Sequence, residues 1–164
     1  MDKNKNKKPS KAIVVLSSII GVGLCVLIVI QFYYISWNFS PSLPYTMFVV
    51  EKRGLPQKGG FVVFNFPGKQ FYYPKDRFVK KVVGVPGDRV EVRGREVFLN
   101  GESVAVAKEK SVKGIPLTQL SFNGVIPEGK LFVLGMTKDS YDSRYEDVGL
   151  VDQNRIIGTG HPVF

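Results

Sequence analysis

Lys80 lies in the stretch FVKKVVGVPGDRV, residues 78–90, where an ammonium group is set among valines. The β-branched run of Val79, Val82, Val83 and Val85 reads as a buried strand, and Pro86-Gly87-Asp88 as the turn that ends it. Burial disfavours charged lysine and lowers its pKa, which is how a lysine becomes a general base near neutral pH. To be half neutral at pH 7 its pKa must fall from about 10.4 to about 7, a cost of about 4.6 kcal/mol that apolar burial can supply. Alternation leaves open which lysine is buried. Phe78, Lys80 and Val82 share one face, Val79, Lys81 and Val83 the other, and both faces are apolar. The plainer alternative is an edge strand whose two lysines run along apolar surface to water.

Two further clusters carry reactive groups. In Asn38-Phe39-Ser40-Pro41-Ser42-Leu43-Pro44 each proline fixes its own φ and pushes the residue before it toward an extended conformation. Ser42 therefore sits on a stiffened segment and keeps an N–H that could face a developing oxyanion beside its own hydroxyl. A stiff linker is the simpler reading. Residues 135–145, GMTKDSYDSRY, form a polar loop after the strand Leu131 to Leu134. There Asp142, two residues from Arg144, invites an ion pair, though pairs of this kind on solvated loops are individually weak.

What must position these groups is one folded domain with an attached segment, since 164 residues are few for two domains. Net charge is +9, and the first eleven residues alone hold five lysines against one aspartate. No helix-turn-helix, zinc or RNA-binding pattern accompanies this charge, so nucleic acid is not expected. Anionic membrane lipid is the partner that the next segment suggests. Ile13 to Ile30 is 18 residues without a charge, about 27 Å as a helix against a hydrocarbon core of about 30 Å. Phe32, Tyr33, Tyr34 and Trp37 follow as an aromatic belt. The expected organisation is a basic cytoplasmic tail over 1–11, a single membrane anchor over 12–37 with the amino terminus in the cytoplasm, and an extracytoplasmic domain over 38–164. A cleaved signal peptide fits less well, because the apolar run is long and bulky aromatics occupy the place of a small-residue cleavage site. The only cysteine, Cys25, falls inside the span, so no disulfide, thiol or metal chemistry is expected and no cofactor is implied.

The domain reads as all-β. Strand-like runs lie at Thr46 to Glu51, Phe61 to Phe66, Phe78 to Val85, Arg89 to Val92, Glu96 to Leu99, Leu131 to Leu134 and Arg155 to Gly158. Asn100-Gly101 is a strong hairpin signal and Arg93-Gly94-Arg95 a short turn. Residues 105–123 carry no clear pattern and read as a surface insertion or loop.

In order along the chain, these clusters resemble the bacterial type I signal peptidases. That family has a serine box just past a membrane anchor, a box of the form VKRVVGxPGD and a box ending in SxDSR; this chain has FVKKVVGVPGD and SYDSRY. The likeness covers most of residues 10–164 and is closest to the TraF-type conjugal-transfer peptidases, whose serine box resembles NxTxSxPxG. It implies a mainly β fold, with a single N-terminal transmembrane helix before an all-β peptidase domain. It also implies Ser42 as nucleophile, Lys80 as general base, Asp142 and Arg144 as supports, Ser40 as an oxyanion hydroxyl and Ser140 as the serine that orients the lysine. Leu43 and Val79 become the expected walls of a pocket for small residues before the cut. Thr46 stands where the TraF-type box has glycine, and Gly135-Met136-Thr137 replaces a GDN sequence.

The chemistry agrees with the resemblance. A serine hydroxyl needs a base, and the one histidine, His161, lies near the carboxyl end, which makes Ser-His-Asp a poor reading and leaves Ser-Lys. Arg144 should pair with Asp142 and hold its charge off Lys80. The expected activity is cleavage of signal peptides, or of pilin-like precursors, at the outer face of the cytoplasmic membrane. Amine attack could instead cyclise a pilin product, and an anchored binding component without catalysis is the remaining alternative.

Overall fold

The computed structural model describes residues 10–68 and 76–164; most of the basic tail therefore lies outside the described residues. Helix α1 spans Lys11–Phe32, and the Ser10 side chain caps it by accepting from the Ile13 N–H at 3.4 Å. Its 22 residues extend about 33 Å, and none of their side chains is buried. It is the one helix among the described residues long and apolar enough to cross a membrane. The helix ends at Phe32, two residues past the apolar run Ile13 to Ile30. Tyr33–Trp37 is instead strand β1, whose aromatic and β-branched residues suit a pleated, half-buried surface.

The remaining strands are β2 (Met47–Lys52), β3 (Phe61–Asn65), β4 (Arg77–Gly84), β5 (Arg89–Arg93), β6 (Glu96–Leu99), β7 (Glu102–Val106), β8 (Gly124–Val125), β9 (Lys130–Leu134), β10 (Val151–Asp152) and β11 (Ile156–Pro162). Two sheets result, in the orders β1-β2-β11-β3-β4-β9-β10 and β7-β6-β5-β8. The ladders from β2 across to β10 are antiparallel. The fold is mainly β, with every anticipated run present to within a few residues. The 105–123 region is mostly loop, but β7 runs into it and Leu120 is buried in the core of the smaller sheet.

Consecutive residues of β3 and β9 are buried, so both faces of these strands are covered and neighbouring side chains enter different core clusters. From β3, Val62 and Phe64 pack with Val82 and Val133, while Val63 packs on the other face with Leu43, Phe48, Val50 and Val79. Each such fully buried side chain contributes about 1.5–3 kcal/mol. From β9, Phe132 and Leu134 join Val90, Val97 and Leu99 in a cluster centred on the smaller sheet.

Asp88 fastens the end of β4 to its neighbours. Its Oδ2 accepts from the Val85 N–H at 3.0 Å and from the Lys58 Nζ at 2.9 Å, and its Oδ1 accepts from Asn100 Nδ2 at 2.7 Å. Burial pushes its carboxyl pKa up, but these donors outweigh burial and hold it below the usual value. Asn100 and Gly101 have φ of 52° and 86°, the left-handed pair that a tight hairpin between β6 and β7 requires.

Candidate active site

Strand β4 lies between β3 and β9, so Lys80 is on an interior strand and the edge-strand reading is set aside. Its register partner is Val62, whereas Lys81 stands opposite Phe61 and remains partly exposed. Lys80 is the buried lysine, 4% exposed. Its Nζ lies 5.5 Å from the centre of the Phe78 ring and donates to Ser140 Oγ at 3.0 Å. Burial lowers its pKa to about 8, with the nearby Asp142 carboxylate raising it and the Arg144 guanidinium lowering it. About a tenth of the amine is then neutral at pH 7.

Ser42 arrives on the loop between β1 and β2 and is 5% exposed. Its Oγ lies 2.7 Å from Ser40 Oγ, and Ser40 Oγ donates to Asn38 Oδ1 at 3.0 Å. A serine hydroxyl has one proton, so with Ser40's committed to Asn38 the short contact carries the Ser42 proton toward Ser40. The Ser42 carbonyl accepts from the Met136 N–H at 2.7 Å, which ties this loop to the one carrying Ser140. Gly135 is required at that junction. A β-carbon there would stand 2.0 Å from Ser140 Oγ and 3.1 Å from the Ser42 carbonyl oxygen.

Asp142, fully buried, accepts four hydrogen bonds, one of them from the Arg144 backbone N–H to Oδ1 at 3.3 Å. Arg144 Nε donates to its Oδ1 at 2.8 Å, Arg144 Nη2 to its Oδ2 at 3.1 Å and the Gly135 N–H to Oδ2 at 2.8 Å. The fork of two parallel bonds absorbs the carboxylate charge. This differs in kind from the exposed loop pair that spacing alone suggested: it is buried and bidentate.

An open groove of about 560 Å³ is lined by residues 37–42, 76–80, 137 and 139–141, Asp142 and Arg144 not among them. Ser40, Ser42, Val79, Lys80 and Ser140 all line it. Leu43 does not: the chain turns at Pro41 and Ser42 instead of running extended, and the Leu43 side chain is buried with Phe48, Val63 and Val79. Lys81 also stays outside. Among the described residues the Lys80 amine bonds Ser140 and the Ser42 hydroxyl bonds Ser40, with no direct Ser42–Lys80 hydrogen bond. Such contacts often tighten only with substrate bound. Asp139, at the far wall, pairs with Lys108 from the loop after β7, a partnership between distant segments that sequence spacing does not signal.

Comparison with known proteins gives the site its context. The family described as signal peptidase, peptidase S26 matches over residues 9–164. A signal peptidase I from Bacillus licheniformis is 32% identical over 99% of this chain and 93% of its own length. Signal peptidase I U of Bacillus subtilis is 29% identical over 98% of this chain and 90% of its own. A crystal structure of a signal peptidase I from Enterococcus faecalis aligns at 31% identity over 64% of this chain and 96% of that one, with a TM-score of 0.42. A family match running almost end to end, with a relative this similar across nearly all of both chains, means that this protein is a peptide hydrolase of the signal peptidase family, peptidase S26.

Proposed function

We propose that the protein cleaves signal peptides from exported precursors as a membrane-anchored serine peptidase, with Ser42 as nucleophile and Lys80 as general base. The observation that carries this reading is the buried, pKa-lowered Lys80 in one groove with Ser42 and with no histidine near either. In the first step neutral Lys80 Nζ takes the Ser42 Oγ proton as Oγ bonds the scissile carbonyl carbon. The resulting ammonium then protonates the leaving amine as the peptide C–N bond breaks, leaving an ester on Ser42. Water attacks that ester, Lys80 taking its proton and returning one to Ser42 Oγ. Ser140 orients the amine throughout, Ser40 supplies a hydroxyl to the oxyanion, and the Asp142–Arg144 pair holds the loop that carries Ser140.

One rotation is needed, since the Ser42 proton faces Ser40 and must turn toward Lys80, whose amine keeps its hydrogen bond to Ser140 and accepts on its lone pair. It is a turn of a hydroxyl about a single bond, and a substrate that dries the groove favours the proton transfer by lowering the lysine pKa further and so raising the neutral fraction. Val79 forms part of the wall for small residues before the cut.

The helix Lys11–Phe32 serves as the anchor, with the lysine-rich tail in the cytoplasm and against anionic lipid, and the domain outside the cytoplasmic membrane. The finer likeness to TraF-type peptidases rests on Asn38, Ser40, Ser42 and Pro44, and would make a pilin-like precursor the substrate. Product mass separates hydrolysis from cyclisation, because a cyclised product is lighter by one water.

The deciding experiment assays Ser42→Ala, Lys80→Ala and Lys80→Arg on a precursor in liposomes. All three are expected to accumulate in the membrane and to be inactive, arginine because it stays protonated, while Lys81→Ala and His161→Ala keep most activity. Cleavage by Lys80→Ala would remove the dyad. A soluble form must begin at Tyr33 and not at residue 37, because β1 belongs to the larger sheet. It should process a soluble peptide normally and the liposomal precursor more slowly.

A further inference from the structure

We infer that Asn38 is a positioning residue that acts on catalysis through Ser40, an inference that rests on the proposed roles of Ser42 and Ser40. Asn38 is itself fixed from behind: its backbone N–H donates to the Thr46 carbonyl at 2.9 Å, and its Nδ2 donates to the Tyr45 carbonyl at 2.9 Å. The second bond decides which way the amide faces, because a carbonyl accepts only from the amide nitrogen. Oδ1 therefore turns toward Ser40, accepting its N–H at 3.2 Å and its Oγ–H at 3.0 Å.

The consequence lies in where the Ser40 oxygen is held. It stands 2.7 Å from the Ser42 oxygen, beside the position at which a carbonyl carbon attacked by Ser42 becomes tetrahedral. When charge develops on that carbonyl oxygen, the Ser40 proton swings from Asn38 to the oxyanion by rotation about the Cβ–Oγ bond, and the Ser40 oxygen does not have to move. The exchange runs downhill as the reaction proceeds, since an oxyanion is a stronger acceptor than a neutral amide oxygen. Stabilisation of that form appears in the transition state and not in the bound substrate. Ser40 is otherwise exposed on a groove rim, with Phe39 beside it 93% exposed, so little packing restrains its rotamer once Asn38 is removed.

A double-mutant cycle on the full-length enzyme tests this, using a peptide with alanine at the first and third positions before the cut. Asn38→Ala is expected to lower kcat about tenfold with KM unchanged. Ser40→Ala lowers it by up to about 10² to 10³, and the double variant matches Ser40→Ala to within about twofold. A tenfold loss of equal size with and without the Ser40 hydroxyl would overturn the inference, because Asn38 would then be acting on the loop in general. A Ser40→Ala enzyme with wild-type kcat would fail at the earlier step, removing the role of Ser40 and this inference with it. Thermal midpoints accompany each variant. Asn38→Ser, which can make the same turn through its hydroxyl oxygen, runs the same cycle if the alanine variant folds poorly.

Discussion

Lys80 and Ser140 are joined by a 3.0 Å hydrogen bond between residues 60 positions apart, both almost completely buried. Replacing Ser140 with alanine leaves a buried lysine donor without that partner, a loss of about 1–3 kcal/mol. If the bond aims the amine during the reaction, kcat falls roughly tenfold or more while KM changes little. An unchanged kcat in a folded Ser140→Ala enzyme would show that the lysine is aimed by its walls alone.

The rate should follow the protonation of one amine. Because Lys80 has a pKa of about 8 and works as the neutral form, kcat/KM is expected to rise with pH through a midpoint near 8 and then level off. Burial chiefly lowers this pKa; Arg144→Gln removes a guanidinium that adds to that lowering and leaves Asp142, which raises it, so the midpoint moves to higher pH. Asp142→Asn moves it the other way. Breaking the buried pair also destabilises the fold by about 3–5 kcal/mol in either variant. Midpoints that shift in the same direction in both would refute the electrostatic assignment.

Lysine burial should also be visible as instability. The folded pKa of about 8 lies below the ordinary 10.5, so between these pH values the unfolded chain binds more protons than the native one. Stability contributed by this group is therefore lowest below about pH 8 and rises as pH climbs toward 10.5. Lys80→Met removes the penalty, and urea unfolding at pH 7 should show a gain of up to about 3 kcal/mol that closes by pH 10.5. A methionine variant no more stable than wild type at pH 7 would mean the amine is not desolvated.

Asp88 makes a separate claim about architecture. Its carboxylate receives three donors, from Val85, Lys58 and Asn100, and so connects the end of β4 to the β6–β7 hairpin. Asp88→Ala should cost about 1–3 kcal/mol, with the Lys80 pH midpoint unchanged because Asp88 does not line the groove. Since the carboxyl pKa is depressed, the same stability is lost in wild type as pH falls below the ordinary carboxylate range.

Much of this was readable from residue order, and the rest was not for identifiable reasons. The strand carrying Lys80 was legible from its valines, but its two faces were equally apolar, and only the packing of β3 and β9 on either side decided which lysine was enclosed. Tyr33 to Trp37 suits a bilayer interface as well as a strand, since both reward aromatic side chains, and composition alone does not separate the two. Leu43, a groove wall by family resemblance, is instead buried with Phe48 and Val63, because the prolines around Ser42 do not hold that segment extended: it turns at Pro41 and Ser42. The hydroxyl chain from Ser42 to Asn38 depends on the Tyr45 carbonyl seven residues away, a contact with no signature in spacing.

The groove takes no lining residue from β5, β6, β7 or β8. Reacting groups and the smaller sheet are thus carried by different parts of the chain, which makes the turn at Gly94 between β5 and β6 a place for a fluorescent or affinity handle. A labelled enzyme of this design would let individual molecules be followed in a bilayer while turnover is recorded on the same sample.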